Sequence, residues 1–346
     1  MNSPSDTSDE MHEALFWQSH DVGSCIENKE NKKDEKGKTS LNKVICLARK
    51  NIGGKLYSLI YGKASSVHPD PVEKKPLYHF HPGEDIMSFG TLGCNLKCKH
   101  CQNHEISQRS PDEFYTFDIS PEDVVDACRK AKCRLVAFTY NEPTIWYEFV
   151  RDASQLCKIE GVKTVWVTNG FINEEPLRQV LPLLDAANVD VKAFTEEFYK
   201  NVSKARLEPV KKTCKILLQA GKHIELTYLI IPGYNDSEKE IREFCRWVKS
   251  ELNEDVPVHF SRFHPDYQMT DVAPTPASTL KMAYDISHQE GLSYVYVGNI
   301  RTDYGEDTLC KKCKNVLISR SGYSIRKKGM NGNLCSRCST PVPFVM

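Results

Sequence analysis

The chain has 346 residues, and its 46 basic and 46 acidic residues give a formal net charge of +0 at neutral pH. This length predicts one large domain and a small one, and the balanced charge argues against a whole-surface footprint for nucleic acid. No apolar run is long enough to cross a membrane, and the polar, acidic start argues against a signal or transit peptide. The fourteen cysteines cluster at metal-binding spacings, which predicts a cytoplasmic protein in a reducing compartment.

The first 84 residues are predicted to form two parts. Residues 1–40 are expected to be a weakly ordered tail, because charged residues there follow no apolar period. A short apolar patch at residues 14–17 could still dock on the body. Residues 41–84 are expected to lead into, or cover, the loop that holds the cysteines at residues 94–101. Within them, residues 44–48 and 55–61 are predicted to pair as a hairpin turned at Gly53-Gly54, before prolines break regular structure.

Residues 85–303 are predicted to form the main α/β domain, because short apolar runs alternate with amphipathic segments. The predicted strands are residues 86–92, 135–140, 164–168, 189–193, 224–231, 258–263 and 294–297. Helix starts are indicated by Ser120 before Pro121 and by a predicted capping box from Ser237 to Glu240. Repeated alternation favours parallel strands in a full or partial (β/α) barrel, with a doubly wound sheet as the alternative. In either fold, ligands bind at the carboxyl ends of the strands.

Residues 304–346 are predicted to form a small, separate module. Two C-x2-C pairs occur there, formed by Cys310, Cys313, Cys335 and Cys338. This spacing is typical of a four-thiolate structural zinc site, so a zinc-ribbon-like module is expected. A second iron–sulfur cluster is the alternative.

The cysteines of the main domain follow its first predicted strand, where Cys94, Cys98 and Cys101 have the spacing C-x3-C-x2-C. Three thiolates can hold three irons of a four-iron cluster and leave the fourth iron open, unlike the four-cysteine runs of ferredoxins. A zinc loop or three incidental thiols is the alternative. An open iron can bind a substrate or cofactor directly.

This loop resembles that of the radical SAM superfamily, and the resemblance covers residues 82–299. It implies a partial, TIM-like (β/α) barrel with a 4Fe–4S cluster that binds S-adenosylmethionine (SAM). It also implies reductive cleavage of SAM to a 5′-deoxyadenosyl radical that abstracts hydrogen from a substrate. An electron donor such as flavodoxin or ferredoxin is then expected as a partner.

Further matches follow the next two strands. The family has Gly-Gly-Glu-Pro where this chain has Tyr140, Asn141, Glu142 and Pro143. The resemblance implies that Asn141 and Glu142 bind the SAM amino group. It also implies that Thr168 and Asn169, in a Thr-Asn-Gly segment, face the SAM ribose and carboxylate.

Four more residues are matched to the SAM site. Asp190 and Lys192 resemble an Asp-Leu-Lys segment of the glycyl-radical-enzyme activases, and Lys192 is also predicted to take part in catalysis. A simple internal ion pair is the alternative. His100 stands at the family's aromatic position and is expected to meet the adenine. His264 matches a histidine on the SAM side of the activases.

A narrower resemblance is to the AmmeMemoRadiSam system enzymes, relatives of pyruvate formate-lyase activating enzyme. It rests on residues 77–83, 139–145, 259–266 and 297–299 and on the terminal cysteine pairs. This resemblance implies Memo-like and AMMECR-like proteins as partners.

The residue pattern does not identify the substrate that receives the radical. One hypothesis is an activase that acts on a glycyl radical protein. Another is RNA modification, supported by eight basic residues against Glu306 and Asp307 in the last 43 residues; a solvated basic surface near a zinc site is the favoured explanation of these residues, so nucleic acid is not the expected partner. A third is a non-catalytic iron–sulfur or zinc adaptor, suggested by the altered Gly-Gly-Glu segment.

Overall fold

The computed structural model describes residues 12–15, 46–52 and 55–346. Within these residues, one long sheet carries most of the helices, and a group of short strands follows it. The strands β1 to β12 are Arg49–Ile52, Lys55–Ser58, Lys63–Ala64, Ser66–Pro71, Asp85–Gly90, Phe117–Asp118, Leu135–Phe138, Lys163–Thr168, Ala186–Asp190, His223–Ile230, Val258–Arg262 and Val295–Gly298. The strands β13 to β17 are Thr308–Leu309, Val316–Ser321, Ser324–Lys327, Met330–Asn331 and Leu334–Cys335.

Helices connect the strands of the long sheet. The helices α1 to α8 are His104–Ser107, Pro121–Ala131, Tyr147–Ile159, Glu174–Val180, Glu196–Phe198, Leu207–Gln219, Glu238–Trp247 and Ala277–Glu290. Shorter 3₁₀ turns are Val72–Lys74, Pro143–Trp146 and Leu181–Leu183, and π-helical turns are Tyr199–Ser203 and Val248–Leu252. No helix among the described residues is long and apolar enough to span a membrane.

The long sheet has eight strands in the order β12-β11-β10-β9-β8-β7-β5-β4. Its strands pair in parallel from β5 to β12, whereas β4 pairs antiparallel to β5. Because β4 and β12 form its two edges in the described residues, this is a partial rather than a closed barrel. The predicted α/β fold is confirmed, and the carboxyl ends of its parallel strands lie at one end.

All seven predicted core strands form, and the largest difference lies in β9. It was expected at residues 189–193 and is found at Ala186–Asp190. The chain leaves the sheet after Asp190 because polar groups outside the sheet bind the backbone of Lys192. Its N–H donates to the Tyr199 hydroxyl and its carbonyl accepts from the Asn235 amide.

The two predicted helix caps differ in outcome. Ser120 and Asp123 form a complete capping box at the start of α2. At α7, the Ser237 side chain accepts a hydrogen bond from the Glu240 N–H. The predicted reciprocal bond, from the Ser237 N–H to the Glu240 side chain, is wrong. The Glu240 carboxylate turns inward and accepts from the Phe194 N–H and the Tyr228 hydroxyl. The Phe194 N–H and the Tyr228 hydroxyl therefore replace the Ser237 N–H as hydrogen-bond donors to this carboxylate.

The segment between β4 and β5 fills the concave side of the sheet. Leu77 and Phe80 are fully buried against residues of four parallel strands, including Ile86, Leu135 and Val165. These residues lie near the amino ends of their strands. Leu77 and Phe80 therefore pack at the end of the barrel opposite to the cysteine loop, so this part of the predicted segment leads into the main domain but does not cover that loop.

Two predictions for the N-terminal region fall partly outside the described residues. Of the apolar patch at 14–17, Ala14 lies against β2, where its N–H donates to the Leu56 carbonyl. Most of the expected tail lies outside the described residues. The hairpin forms as β1 and β2, but its first strand begins at Arg49 rather than at residue 44. Residues 46–48 instead make a turn in which Leu47 has a φ of 61°.

The C-terminal module packs on the outer strand of the barrel. The predicted hairpin around Ser321-Gly322 forms as β14 and β15. Its core joins Leu317, Ile318 and Phe344 to Tyr294 and Tyr296 of the barrel. The module therefore shares one apolar cluster with the end of the main sheet.

Candidate active site

The cysteine loop follows β5 at the carboxyl end of the sheet. Its first turn requires Gly93, which has a φ of 85°, and a Cβ there would lie 2.2 Å from the Cys46 carbonyl oxygen. The Gly93 N–H donates to the Ile106 carbonyl, so α1 returns to the base of the loop. These contacts fix where the three cysteines begin.

Of the three cysteines of the loop, Cys98 is buried and Cys94 and Cys101 are partly buried. Burial raises the pKa of Cys94, Cys98 and Cys101, to about 11 for Cys98. Bound cationic iron would supply the charge that stabilises these thiolates. Among the described residues, one group of cysteines has all its sulfur atoms within 4.8 Å of one another, and this group lies near the C-terminus rather than in the loop. Three thiols in one loop can hold three irons of a four-iron cluster and leave the fourth iron open, so these residues fit a 4Fe–4S cluster.

Asn141 ties the loop to the turn after β7. Its Oδ1 accepts from the Thr91 N–H at 3.2 Å, and its Nδ2 donates to the Gly93 carbonyl at 2.9 Å. The preceding residue, Tyr140, has a φ of 72°. This left-handed backbone conformation is the one that glycine adopts most readily, and Tyr140 stands where the family usually has a glycine.

Tyr140 is held in its turn by its side chain. Its hydroxyl donates to the Asp70 carboxylate at 2.6 Å, and the same carboxylate accepts from Lys75 at 2.7 Å. The Lys75 ammonium also lies 4.4 Å from the centre of the Tyr140 ring. The contacts of the Tyr140 side chain with Asp70 and Lys75 thus offset the free-energy cost of the left-handed backbone at Tyr140.

The Glu142 carboxylate is fully buried and bonded within the protein. Its Oε1 accepts from the Thr144 N–H and hydroxyl and from the Thr168 hydroxyl, and its Oε2 accepts from the Asn169 N–H. Burial raises the pKa of Glu142, although these donors favour the ionised form. The carboxylate therefore joins the turns after β7 and β8.

Asn169 connects this network to the cysteine loop. Its Nδ2 donates to the Asn95 Oδ1 at 2.8 Å and lies 3.7 Å from the Cys94 Sγ. Asn95 in turn donates to the Phe171 carbonyl. Asn95 was not among the predicted site residues; an amide inside a metal-binding loop was the available signal.

Asp190 and Lys192 come together at the end of β9. Their carboxylate and ammonium are 2.5 Å apart, and both side chains keep partial exposure. Burial alone would lower the pKa of Lys192, but the negative charges of Asp190, Cys98 and Cys101 raise it above its ordinary value. Lys192 is therefore a protonated cation that is paired with Asp190 near the cysteine loop.

The two predicted histidines occupy different environments. His100 is buried and packs 5.9 Å from the Phe198 ring, and its Nδ1 has no hydrogen-bond partner among the described residues. Burial, with a smaller effect from Lys192, lowers the pKa of His100 to about 3. His264 is largely exposed and lies 3.2 Å from the Gln102 amide. His100 thus lies within the loop on its buried side, whereas His264 contacts the residue after Cys101 on the exposed side.

The four C-terminal cysteines form a second cluster. Their sulfur atoms all lie within 4.8 Å of one another, with Cys310 3.6 Å from Cys338 and Cys313 3.6 Å from Cys335. This is the spacing of ligands around a single tetrahedral ion. The predicted four-cysteine group is therefore confirmed as a cluster, at the end of the chain remote from the cysteine loop.

Similarity to other proteins extends over most of the chain. Residues 89–245 match the family described as the radical SAM superfamily. An uncharacterized protein of Methanocaldococcus jannaschii is 41% identical over 97% of this chain and 100% of its own length. Pyruvate formate-lyase 1-activating enzyme of Escherichia coli strain K12 is 25% identical over 61% of this chain and 91% of its own length.

A solved structure supports the fold. Streptococcus suis SuiB bound to S-adenosylmethionine has a TM-score of 0.51 at 14% identity, covering 69% of this chain and 56% of that one. At this identity the likeness concerns the fold alone. The sequence matches identify the chain as a member of the radical SAM superfamily, an enzyme that uses a 4Fe–4S cluster to cleave SAM and generate a radical.

Proposed function

We propose that Cys94, Cys98 and Cys101 hold the cluster and that SAM binds beside them at the carboxyl ends of β7, β8 and β9. The observation that carries this proposal is the convergence of Glu142, Asn169 and Lys192 on one loop. When bound, the cluster and SAM supply a 5′-deoxyadenosyl radical. The protein's own part is to position SAM and to exclude water.

The proposed SAM contacts follow from where each side chain lies. The residues assigned to SAM are His100, Asn141, Glu142, Thr168, Asn169, Asp190, Lys192 and His264. Glu142 and Asn141 act mainly by fixing the turns whose backbone faces SAM, since their side-chain atoms are engaged within the protein. Lys192 presents a fixed cation next to the thiolates and is assigned the catalytic role.

For the substrate, we propose a protein from which the radical takes hydrogen. The support is that the chain covers 91% of the Escherichia coli activating enzyme, which is named for its action on pyruvate formate-lyase. A glycyl radical protein is the substrate class that this relative suggests. Memo-like and AMMECR-like partners remain predictions.

We also assign zinc to the C-terminal cysteines. Four thiolates at tetrahedral spacing are preferred ligands of a structural zinc ion, and such an ion needs no fifth ligand. Metal analysis of protein purified without added metal tests this assignment. Iron and sulfide in place of zinc at these four cysteines would contradict it.

Anaerobic reconstitution tests the proposed SAM chemistry. Protein loaded with iron and sulfide should show iron–sulfur absorbance and, with dithionite, convert SAM to 5′-deoxyadenosine. Cys94→Ala should lose both properties and Lys192→Met should keep the absorbance but lose most of the product. Cys128→Ala, a buried cysteine outside the loop, is the control. If the Cys94→Ala variant formed as much 5′-deoxyadenosine as wild type, the proposal would be refuted.

The substrate is tested separately. Proteins that co-purify under anaerobic conditions are treated with SAM and dithionite and examined by electron paramagnetic resonance. A glycyl-radical doublet that disappears when S-adenosylhomocysteine replaces SAM is expected, because this analogue has no sulfonium to cleave. If the formation of 5′-deoxyadenosine from SAM instead accompanied the modification of a non-protein molecule, the proposal of a protein substrate would be contradicted.

A further inference from the structure

Two neutral hydrogen-bond donors lie beside sulfur atoms of the cysteine loop. The first is the side-chain amide of Asn169, whose Nδ2 is 3.7 Å from the Cys94 Sγ. The second is the hydroxyl of Ser203, which ends the π-helical turn Tyr199–Ser203. Neither donor belongs to the loop itself, so the tertiary structure brings both of them to it.

The Asn169 side chain is held in one orientation by the protein. Its Oδ1 accepts from the Phe171 N–H at 2.9 Å, and its Nδ2 donates to the Asn95 Oδ1 at 2.8 Å. The second hydrogen of this NH2 group is left for the Cys94 sulfur. The side chain of Asn169 therefore serves the cysteine loop.

Iron binding would change the role of the Cys94 sulfur. As a thiol, Cys94 is a donor whose Sγ lies 3.8 Å from the Asn95 Oδ1. A thiolate that binds iron has lost this proton and only accepts hydrogen bonds. The Leu96 N–H, at 3.4 Å, and the Asn169 amide are in position to donate to it.

The Ser203 hydroxyl is a buried donor that the protein itself does not use. The side chain is fully buried, and its Oγ has no hydrogen-bond partner among the described residues. The Lys97 N–H donates to the Ser203 carbonyl at 3.0 Å, which places the turn beside Cys98. Burial raises the pKa of Cys98, and Lys192 and the Ser203 hydroxyl lower it in part. A cluster sulfur at Cys98 would give this unpaired hydroxyl an acceptor.

We propose that Asn169 and Ser203 are positioning residues that raise the reduction potential of the cluster. The inference deepens the proposed function and rests on it, since Cys94 and Cys98 must bind the cluster. Reduction transfers one electron from the reductant to the cluster, with no bond formed or broken. Because the reduced cluster is more negative, donors to its ligand sulfurs stabilise it more than the oxidised cluster.

The two residues differ in what they do for the fold. Asn169→Ala removes three hydrogen bonds, to Cys94, Asn95 and Phe171, so it alters both packing and the cluster. Ser203→Ala removes a hydroxyl that has no partner in the described part of the protein. A change of potential in Ser203→Ala therefore reports on the cluster rather than on the fold.

The test is a redox titration of iron–sulfur-loaded enzyme, followed by the electron paramagnetic resonance signal of the reduced cluster. At a fixed potential, the ratio of reduced to oxidised cluster should fall about threefold or more in each single variant. This is a decrease of about 30 mV in midpoint potential, since tenfold corresponds to about 59 mV for one electron. The double variant should show a fall of about tenfold, because the donors act on different sulfurs.

A matched control separates the cluster from general effects of losing a hydroxyl. Ser154, on α3, is also fully buried, and its Oγ likewise has no partner among the described residues. Ser154→Ala should keep the wild-type potential. Without iron, Ser203→Ala should be at least as stable as wild type to denaturant, because the removed hydroxyl makes no bond.

Three results would overturn the inference. The first is a wild-type potential in Ser203→Ala, which decides the question even if Asn169→Ala does not fold. The second is a potential that rises in Ser203→Ala, and the third is an equal fall in Ser154→Ala.

The formation of 5′-deoxyadenosine separates this inference from the proposed function. If wild type takes up no cluster, or forms no 5′-deoxyadenosine with dithionite, the proposed function fails and the inference fails with it. If wild type is active and Ser203→Ala has an unchanged potential, the inference alone is refuted.

Discussion

The Glu142 carboxylate accepts a hydrogen bond of 2.8 Å from the backbone N–H of Asn169. This contact joins the turns that follow two neighbouring strands, β7 and β8. The Asn169 side chain then reaches Asn95 inside the cysteine loop. One buried carboxylate therefore connects both turns to the loop that holds the proposed cluster.

Replacing Glu142 by glutamine should destabilise the protein and weaken SAM binding. The new amide NH2 group would face donors that now bind a carboxylate, leaving at least one buried donor without a partner. The expected cost is about 1–3 kcal/mol in the free energy of unfolding. Denaturant unfolding and calorimetric SAM titration check it, with the exposed Glu175→Gln as control. Equal stability and SAM affinity in both variants would refute the role given to Glu142.

Replacing Asn141 by alanine should loosen the cysteine loop. The change removes the bonds to the Thr91 N–H and the Gly93 carbonyl, on either side of Leu92. Iron should then be lost to a strong chelator several-fold faster than from wild type, because the loop opens more often. Asn173→Ala is the control, since the Asn173 side chain makes no capping bond. Identical rates of iron loss would show that the loop needs no such support.

Replacing Arg320 by leucine should separate the C-terminal module from the barrel. The buried guanidinium donates to the Thr308 hydroxyl and to the Tyr78 carbonyl, and it lies 4.1 Å from the Tyr78 ring centre. Leaving these acceptors unpaired should cost about 2–3 kcal/mol. Thermal unfolding measures the loss, and Arg326→Leu, on the exposed face of the same hairpin, should cost far less. A similar melting temperature for both variants would contradict the prediction.

The metal-free C-terminal site should contain one unusually acidic thiol. Hydrogen bonds from the Thr340 hydroxyl and N–H lower the pKa of Cys338 to about 6. The Asn315 N–H lowers the pKa of Cys313, but burial and the neighbouring cysteines raise it to about 12. Because the folded pKa of Cys338 lies below its unfolded value, its stabilising thiolate is lost as pH falls from about 8.5 through about 6.

Alkylation with iodoacetamide checks this order. Mass spectrometry should show the rate at Cys338 rising with a midpoint near pH 6 in metal-free protein, while Cys313 stays slow at neutral pH. Adding zinc should protect both cysteines if the ion binds there. A Cys338 midpoint near pH 8.5 would contradict the prediction.

Local patterns in the sequence predicted several elements correctly. The alternation of apolar runs and amphipathic segments predicted all seven core strands, and Ser120 with Asp123 predicted the start of α2. At Glu240 the local pattern was insufficient. A capping residue was expected, but Tyr228 and Phe194 bind its carboxylate, and neither is close to it in sequence.

The sequence by itself determined the spacing of Cys94, Cys98 and Cys101 and of the two terminal cysteine pairs, because such ligand sets are made by residues a few positions apart. It also determined the parallel α/β fold, since strand and helix periods are local. Only the tertiary structure decided that Glu142 joins two turns and that Leu77 and Phe80 close the barrel. It alone placed residues 199–206 beside the cysteine loop. These contacts join residues far apart in the chain, where packing and the pairing of buried polar groups, rather than local periodicity, select the partners.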